Sequence, residues 1–249
     1  MDSVISSLPS LPVFFFMFMV IYLLAYFGVF RNWDPKIRPE ASSCLISFAH
    51  GTPAVFLAAF AIATHSQRGF AAPNTDFQNT VLEYSIAYFL TDLVHYLIFN
   101  PSDVLFIGHH LATLFVFMTC RFLVFHGAFA ILGLLVLAEI TSFCQNTWTL
   151  ASARKADVPI AAKVYEIMSP SFYTFYSIVR GFAGPTFVYQ MGRFYLSGKA
   201  DNVIPRWVAV SWISVVVTAI SVSILWIANL WVDLYKEKME KKNLEKKLR

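Results

Sequence analysis

The chain has 249 residues, of which 57% are hydrophobic and only 14% are charged, and its mean hydropathy is +0.60. Soluble domains are about 45–50% apolar and about 25% charged, so these values argue against a soluble enzyme and a disordered tail and indicate several membrane spans. The formal net charge of +4 comes from residues 236–249, which hold seven basic and three acidic side chains. Because the rest of the chain is neutral and offers no basic groove, nucleic acid is not an expected partner.

Seven apolar stretches reach the roughly 20 residues that a helix needs to cross about 30 Å of hydrocarbon. In chain order they are approximately Leu11–Phe30, Cys44–Thr64, Val81–Phe99, Val104–Phe122, Ala128–Trp148, Tyr165–Tyr189 and Trp207–Val232. The first is expected to be an uncleaved signal anchor, because nothing basic precedes it and no cleavage site follows it. Between spans three and four, Pro101 is expected to stop one helix, and Ser102 or Asp103 to cap the next. The predicted fold is all-α: a polytopic membrane bundle of about seven transmembrane helices.

The distribution of basic residues predicts how this bundle is oriented. With seven spans, the segments after spans one and five and the tail lie on one side and hold 13 Lys and Arg residues, whereas the opposite side holds five. The positive-inside rule then places the N-terminus in the lumen and the C-terminus in the cytosol. We expect a signal-anchor helix with a cytosolic loop over residues 1–39, a domain of six spans over 40–235, and a basic cytosolic tail over 236–249.

The tail ends Lys246-Lys247-Leu248-Arg249. Two lysines at the third and fourth positions from a cytosolic C-terminus resemble the dilysine retrieval signal of the endoplasmic reticulum, which a coat complex recognises. This resemblance predicts a multi-pass protein of the endoplasmic reticulum membrane that can cycle to the Golgi. The alternative is a solvated helical extension with Lys/Glu pairs.

Polar side chains recur at helical spacing in every predicted span except the first. An ionisable group costs about 2.5–3.5 kcal/mol inside a membrane, so such groups face protein or a watery cavity. The costly residues and their polar neighbours are Asp92, His95, His109, His110, Glu139, Asn146 and Arg180. Adjacent histidines on a helix point about 100° apart, so one of the pair can face a cavity while the other contacts a neighbouring helix. We expect Asp92, His110 and Glu139 to share one enclosed polar pocket; the alternative is a structural hydrogen-bond network.

Metal binding is the first alternative function for these residues. Asp92, His95, His109 and His110 include enough ligand types for a metal site. The His-x-x-x-His and His-x-x-His-His boxes of membrane di-iron enzymes are absent from the chain. No metal and no permanently bound cofactor are therefore expected.

Three runs of the sequence resemble the TLC-domain family, which includes translocating-chain-associated membrane proteins, longevity-assurance proteins and a ceroid lipofuscinosis protein. They are YFLTDLVH over residues 88–95, HHLAT over 109–113 and LAEITSFCQN over 137–146. The resemblance covers about residues 40–235, and its most specific part is the histidine pair preceded by an aspartate in the previous span. Ceramide synthases of the family carry a further His-Asp…Asp run, whereas residues 133–146 contain neither His nor Asp. The chain is therefore more similar to the TLC-domain-containing subgroup than to ceramide synthases.

The resemblance implies a role in membrane lipid homeostasis. Ceramide synthases transfer an acyl group from acyl-CoA to an amine, so acyl-CoA would be a co-substrate and membrane lipids the partners. His109 or His110 would then act as acid and base and Asp92 would orient a histidine, whereas His95, Glu139, Asn146 and Arg180 would position the substrate. Whether the chain is an enzyme stays open. The alternatives are a non-enzymatic lipid sensor or cargo receptor cycling between the endoplasmic reticulum and the Golgi, and a lipid transporter or scramblase.

Overall fold

A computed structural model describes residues 10–64 and 68–248, and within them nine α-helices form a bundle. They are α1 Ser10–Leu24, α2 Arg38–Thr64, α3 Asp76–Phe99, α4 Val104–Met118, α5 Ala128–Glu139, α6 Ser142–Arg154, α7 Pro159–Ile178, α8 Gly184–Leu196 and α9 Arg206–Leu248. Turns of π-helix extend α1 over Ala25–Val29 and α4 over Thr119–Val124, and a third joins α7 to α8 over Val179–Ala183. Over the same residues the β-pairing consists of an isolated bridge between Pro73 and His126. The predicted all-α fold is confirmed.

Six helical segments of the described residues are long and apolar enough to cross a membrane. They are Ser10–Val29, Arg38–Thr64, Asp76–Phe99, Val104–Val124, Ala128–Arg154 and Arg206–Glu240. The predicted sixth span lies within α7 and α8, which are helical but more polar than these six, so six to seven helices can cross. Helices dominate because a bilayer offers no water to satisfy backbone N–H and C=O groups.

Local sequence signals set the ends of the central helices. The side chain of Thr75 accepts a hydrogen bond from the Gln78 backbone at the start of α3, and the Gln78 side chain accepts one from the Thr75 backbone. Asp103 caps α4 by accepting a hydrogen bond from the Phe106 backbone N–H at 3.2 Å, so the predicted cap at this connection is confirmed. Both caps satisfy N–H groups that the first turn of a helix leaves free.

The third helix lies at the centre of one half of the bundle and contacts α1, α2 and α4. The opposite face of α2 packs on α5 and α6, and α7 packs on α6. Between α1, α2 and α3 the aromatic core includes Phe18, Tyr84 and Tyr88 packed around the fully buried His50, whose ring stacks on Tyr88 at 4.0 Å between centroids. Because α3 is enclosed on several sides, its polar side chains are held inside the protein rather than facing lipid.

A buried ion pair stabilises the end of the bundle that carries the N-terminus of α3. Arg121 lies in the π-helical turn after α4, and its Nη2 is 2.6 Å from Oε1 of Glu83 on α3. The Ser10 hydroxyl of α1 donates to Oε2 of the same carboxylate. Three separate segments therefore meet at one charge, which the sequence analysis did not identify.

At the opposite end, α9 is fixed to the connection between α6 and α7. Glu237 on α9 accepts hydrogen bonds from Lys155 Nζ at 3.3 Å and from the Tyr165 hydroxyl at 3.1 Å. Beyond Glu237 the helix continues to Leu248, with Lys246 exposed, whereas the side chain of Lys247 lies outside the described part of the chain. The predicted tail is thus a helical extension of α9.

Candidate functional site

Polar side chains from three helices meet at the carboxylate of Asp92, which is buried on α3. His110 on α4 places its Nε2 2.9 Å from Oδ2 of Asp92. Ser43 on α2 donates its hydroxyl proton to Oδ1 at 2.6 Å. Both oxygens of the carboxylate are thus hydrogen-bonded, and the three side chains come from three different helices.

The protonation of His110 follows from its two partners. Nδ1 is 2.8 Å from the backbone carbonyl oxygen of Phe106, which can only accept, so Nδ1 carries a hydrogen. Nε2 lies 2.9 Å from Oδ2 of Asp92, so a hydrogen bond joins the two side chains. Since both ring nitrogens are engaged, His110 has no nitrogen available for a substrate in this arrangement.

The neighbouring His109 is placed differently. Its side chain is exposed, whereas His110 is buried. Its ring lies edge-on to that of His110 at 5.6 Å and to that of Phe89 at 6.3 Å between centroids. His109 is also within electrostatic range of Arg180 and Asp92. The two histidines therefore separate as the helical geometry predicts: His110 is buried against α3, and His109 is exposed.

Glu139, at the end of α5, forms a second buried acidic centre. Ser142 donates to its Oε2 at 2.6 Å, and Nδ1 of His50 lies 3.9 Å from its Oε1. Helix α2 approaches closely here, because Gly51 has no side chain: a Cβ at this position would lie 2.7 Å from Glu139 Oε2. Glu139 is within electrostatic range of Asp92 and His110. It thus belongs to the same polar region without a hydrogen bond to that pair.

Polar contacts along one face of α2 connect the Asp92 centre with the Glu139 centre. Ser43, Ser47 and His50 follow one another at helical spacing, and each contacts a different neighbour. Ser47 accepts a hydrogen bond from Asn146 Nδ2 on α6 at 2.8 Å and is hydrogen-bonded to Tyr88. His50 Nε2 is 3.1 Å from the Ser85 hydroxyl. The predicted stripe on span two is therefore the seam between α2 and helices α3, α5 and α6.

Arg180 lies on the opposite side of this region, in the π-helical turn between α7 and α8. Its Nη2 donates to the backbone carbonyl of Ala138 at 2.7 Å, and its guanidinium lies over the Tyr176 ring, 5.4 Å from the centroid. Its Nε is buried and has no hydrogen-bond partner. One donor of Arg180 therefore remains available beside Glu139 and His109.

His95 is within electrostatic range of Asp92 and His110, but its hydrogen-bond partner lies on α1. Its Nδ1 is 2.8 Å from the Tyr22 hydroxyl of α1, and both side chains line a groove between α1 and α3. Sequence reasoning placed His95 with the substrate-positioning residues and found no polar partner on span one. Tyr22 was missed because the two tyrosines of the apolar first span, Tyr22 and Tyr26, were not counted as a polar stripe.

The structure thus brings five of the predicted site residues into one polar region, namely Asp92, His109, His110, Glu139 and Arg180, with Asn146 bound to its edge through Ser47. Ser43 was predicted only as part of the polar stripe on span two, whereas Gly51 is an addition that follows from contacts between helices. Among the described residues, no three His, Cys, Asp or Glu side chains group closely enough to hold a metal ion.

Comparison with known proteins agrees with the family resemblance. The family model for the TLC domain matches residues 40–232. A TLC domain-containing protein of Arabidopsis thaliana is 67% identical over 207 residues, which cover 82% of this chain and 82% of that protein. No solved structure matches. The matched region includes every residue of the Asp92–His110 and Glu139 centres, and the chain belongs to the TLC-domain family.

Proposed function

We propose that this TLC-domain membrane protein acts in lipid homeostasis in the endoplasmic reticulum by transferring an acyl group from acyl-CoA to a membrane lipid. The observation that carries the proposal is the contrast within the histidine pair: His109 is exposed, whereas His110 is bound on both ring nitrogens. As a general acid or base, an imidazole can accept a proton and return it.

In this reaction His109 accepts the proton of the acceptor amine or hydroxyl as that group attacks the thioester carbonyl. The carbon–sulfur bond of acyl-CoA breaks, a new amide or ester bond forms, and the imidazolium returns its proton to the departing thiolate. The Asp92–His110 pair does not touch the reacting atoms; it holds α4 against α3 and so fixes the position of His109. The unpartnered Nε of Arg180, with Glu139 nearby, is placed to bind the polar part of a substrate.

The test is release of free CoA from acyl-CoA by the purified full-length chain, with a broad panel of amine and hydroxyl lipids as acceptors. His109→Ala is expected to lower the rate by about 10²–10⁴-fold, which is the usual contribution of a general acid or base. Added imidazole should restore part of that loss. Leu111→Ala is the matched control, because this exposed neighbour on α4 has no assigned role.

His110→Ala distinguishes catalysis from positioning. We expect it to lower both the rate and the thermal stability, and imidazole should not rescue it, because the loss arises from the unpaired buried Asp92. Absence of CoA release over the whole acceptor panel, or full activity of His109→Ala, would refute the enzymatic proposal.

A non-enzymatic lipid sensor or cargo receptor is the second candidate. It is favoured by the mutual satisfaction of the polar groups, since Asp92 and Asn146 each bind side chains of neighbouring helices as in a structural network. In this case a coat complex would recognise the Lys246-Lys247 pair on a cytosolic tail and return the protein to the endoplasmic reticulum. Changing both lysines to Ser should move the protein to later compartments, whereas changing Lys241 and Lys242 to Ser should not. An unchanged location of the first variant would remove the retrieval proposal.

A further inference from the structure

A groove between α1 and α3 is lined by neither Asp92 nor His110. It has a volume of about 420 Å³, and its walls include Leu23 and Tyr26 from the first helical segment and Val94 and Ile98 from α3. This volume is within the range of about 300–1,000 Å³ that is usual for ligand sites. Most of the lining is hydrocarbon or aromatic ring, and the Tyr22–His95 hydrogen bond is at its edge. Its chemistry therefore suits an apolar chain rather than a polar metabolite.

The length and direction of the groove correspond to one leaflet of a bilayer. On α3 it extends from Thr91 to Phe99, the last residue of the helix. Eight residues of helix rise about 12 Å, which is slightly less than half of the roughly 30 Å hydrocarbon core. The groove therefore begins where α3 leaves the membrane and ends near the middle of the bilayer.

A cation is located at the outer end of this groove. The guanidinium of Arg38 lies over the Tyr26 ring, 5.3 Å from its centroid. Its Nη2 donates to the Trp33 carbonyl at 3.1 Å, whereas its Nε is buried without a hydrogen-bond partner. In the described part of the chain no carboxylate forms an ion pair with Arg38. An arginine without a carboxylate partner beside an apolar groove is complementary to a phosphate attached to an acyl chain.

The rest of the connection between α1 and α2 adds to this positive charge. Arg31 and Lys36 are exposed in it, against one acidic residue, Asp34, whose side chain accepts a hydrogen bond from the Lys36 backbone. Basic residues next to a membrane span attract anionic lipids. The groove lies partly outside the family match, which begins at residue 40, so α1 and Arg38 are features of this chain beyond the matched domain.

We propose that this groove binds one anionic phospholipid of the surrounding bilayer, with an acyl chain between α1 and α3 and the phosphate-bearing headgroup at Arg38. The bound lipid fills the space between α1 and the matched domain. This site is distinct from the proposed catalytic region, and the two proposals stand or fall separately because lipid retention and CoA release are measured independently.

The first experiment tests whether the groove is the binding site. The full-length chain is purified in mild detergent, stripped of lipid, and titrated with phosphatidylserine, and retained lipid is counted by native mass spectrometry. Ile98→Trp fills the groove, whereas Leu97→Trp changes the adjacent residue of α3, which is exposed but does not line the groove. We expect the wild-type chain to retain one lipid tightly. Ile98→Trp should lower the affinity for this lipid about tenfold, which corresponds to about 1.4 kcal/mol. Leu97→Trp should leave the affinity unchanged.

The second experiment tests the role of charge by replacing phosphatidylserine with phosphatidylcholine of the same acyl chains. The wild-type chain should prefer phosphatidylserine by about tenfold, as expected for a charge-assisted hydrogen bond, and Arg38→Gln should abolish most of this preference. Arg193→Gln should retain it, because Arg193 is exposed on α8, which does not line the groove. Equal binding of the two lipids to the wild type, or normal retention by Ile98→Trp, would overturn the proposal even if Arg38→Gln failed to fold.

Discussion

The close contact between Gly51 and Glu139 leads to a quantitative prediction for Gly51→Ala. The added Cβ would lie 2.7 Å from Glu139 Oε2 and 3.1 Å from the Ser142 Cβ. The carboxylate is buried and hydrogen-bonded to Ser142, so it can move only by losing that contact. Overpacking costs about 1–3 kcal/mol, whereas replacing Gly by Ala inside a helix gains up to about 1 kcal/mol. We therefore expect a net destabilisation of about 1–2 kcal/mol.

Thermal unfolding in detergent, followed by tryptophan fluorescence, measures this effect. For a chain of this size the cost corresponds to a fall in Tm of about 2–8 °C. Gly192→Ala on α8 is the matched control, because a Cβ there meets no atom within 4 Å and the change should leave Tm equal or higher. In a Glu139→Ala background the cost of Gly51→Ala should largely disappear, since the clashing oxygen is gone. Equal costs in both backgrounds would refute the reasoning.

Three further substitutions test the other buried contacts by the same measurement. Asp92→Asn should cost about 3 kcal/mol, because the new side chain has one acceptor for the two donors, Ser43 and His110, that the carboxylate binds. Glu83→Gln should cost about 2–3 kcal/mol by leaving Arg121 without its negative partner. Asn74→Ala should cost about 2 kcal/mol, because Asn74 bonds the Cys120 carbonyl and the Ala128 N–H and so joins two segments.

Exposed residues of the same types are the controls for these three variants. Asp76→Asn, Glu240→Gln and Asn202→Ala change side chains at the surface of the described structure. Each should change the free energy of unfolding by less than about 0.5–1 kcal/mol. If any buried variant is as stable as its exposed control, the corresponding contact does not stabilise the fold.

Composition and local spacing were sufficient to predict the class of fold. The high apolar content predicted membrane helices, because only hydrogen-bonded helices or closed barrels satisfy the backbone in lipid. The sequence predicted Ser102 or Asp103 as a cap, and Asp103 is the one observed, because capping depends on a side chain and a backbone group three residues apart. The separation of His109 from His110 followed in the same way from the 100° rotation per residue.

The partners of the polar residues were decided by tertiary structure. Asp92 binds Ser43, which is 49 residues distant, and Tyr22 binds His95 across 73 residues. Glu83 and Arg121, 38 residues apart, were not recognised at all. Helical spacing shows which face of a helix is polar, but it carries no information about which helix lies opposite that face. That arrangement depends on how the helices pack, and contacts such as the approach of Gly51 to Glu139 decide it through the shape of the side chains at each crossing.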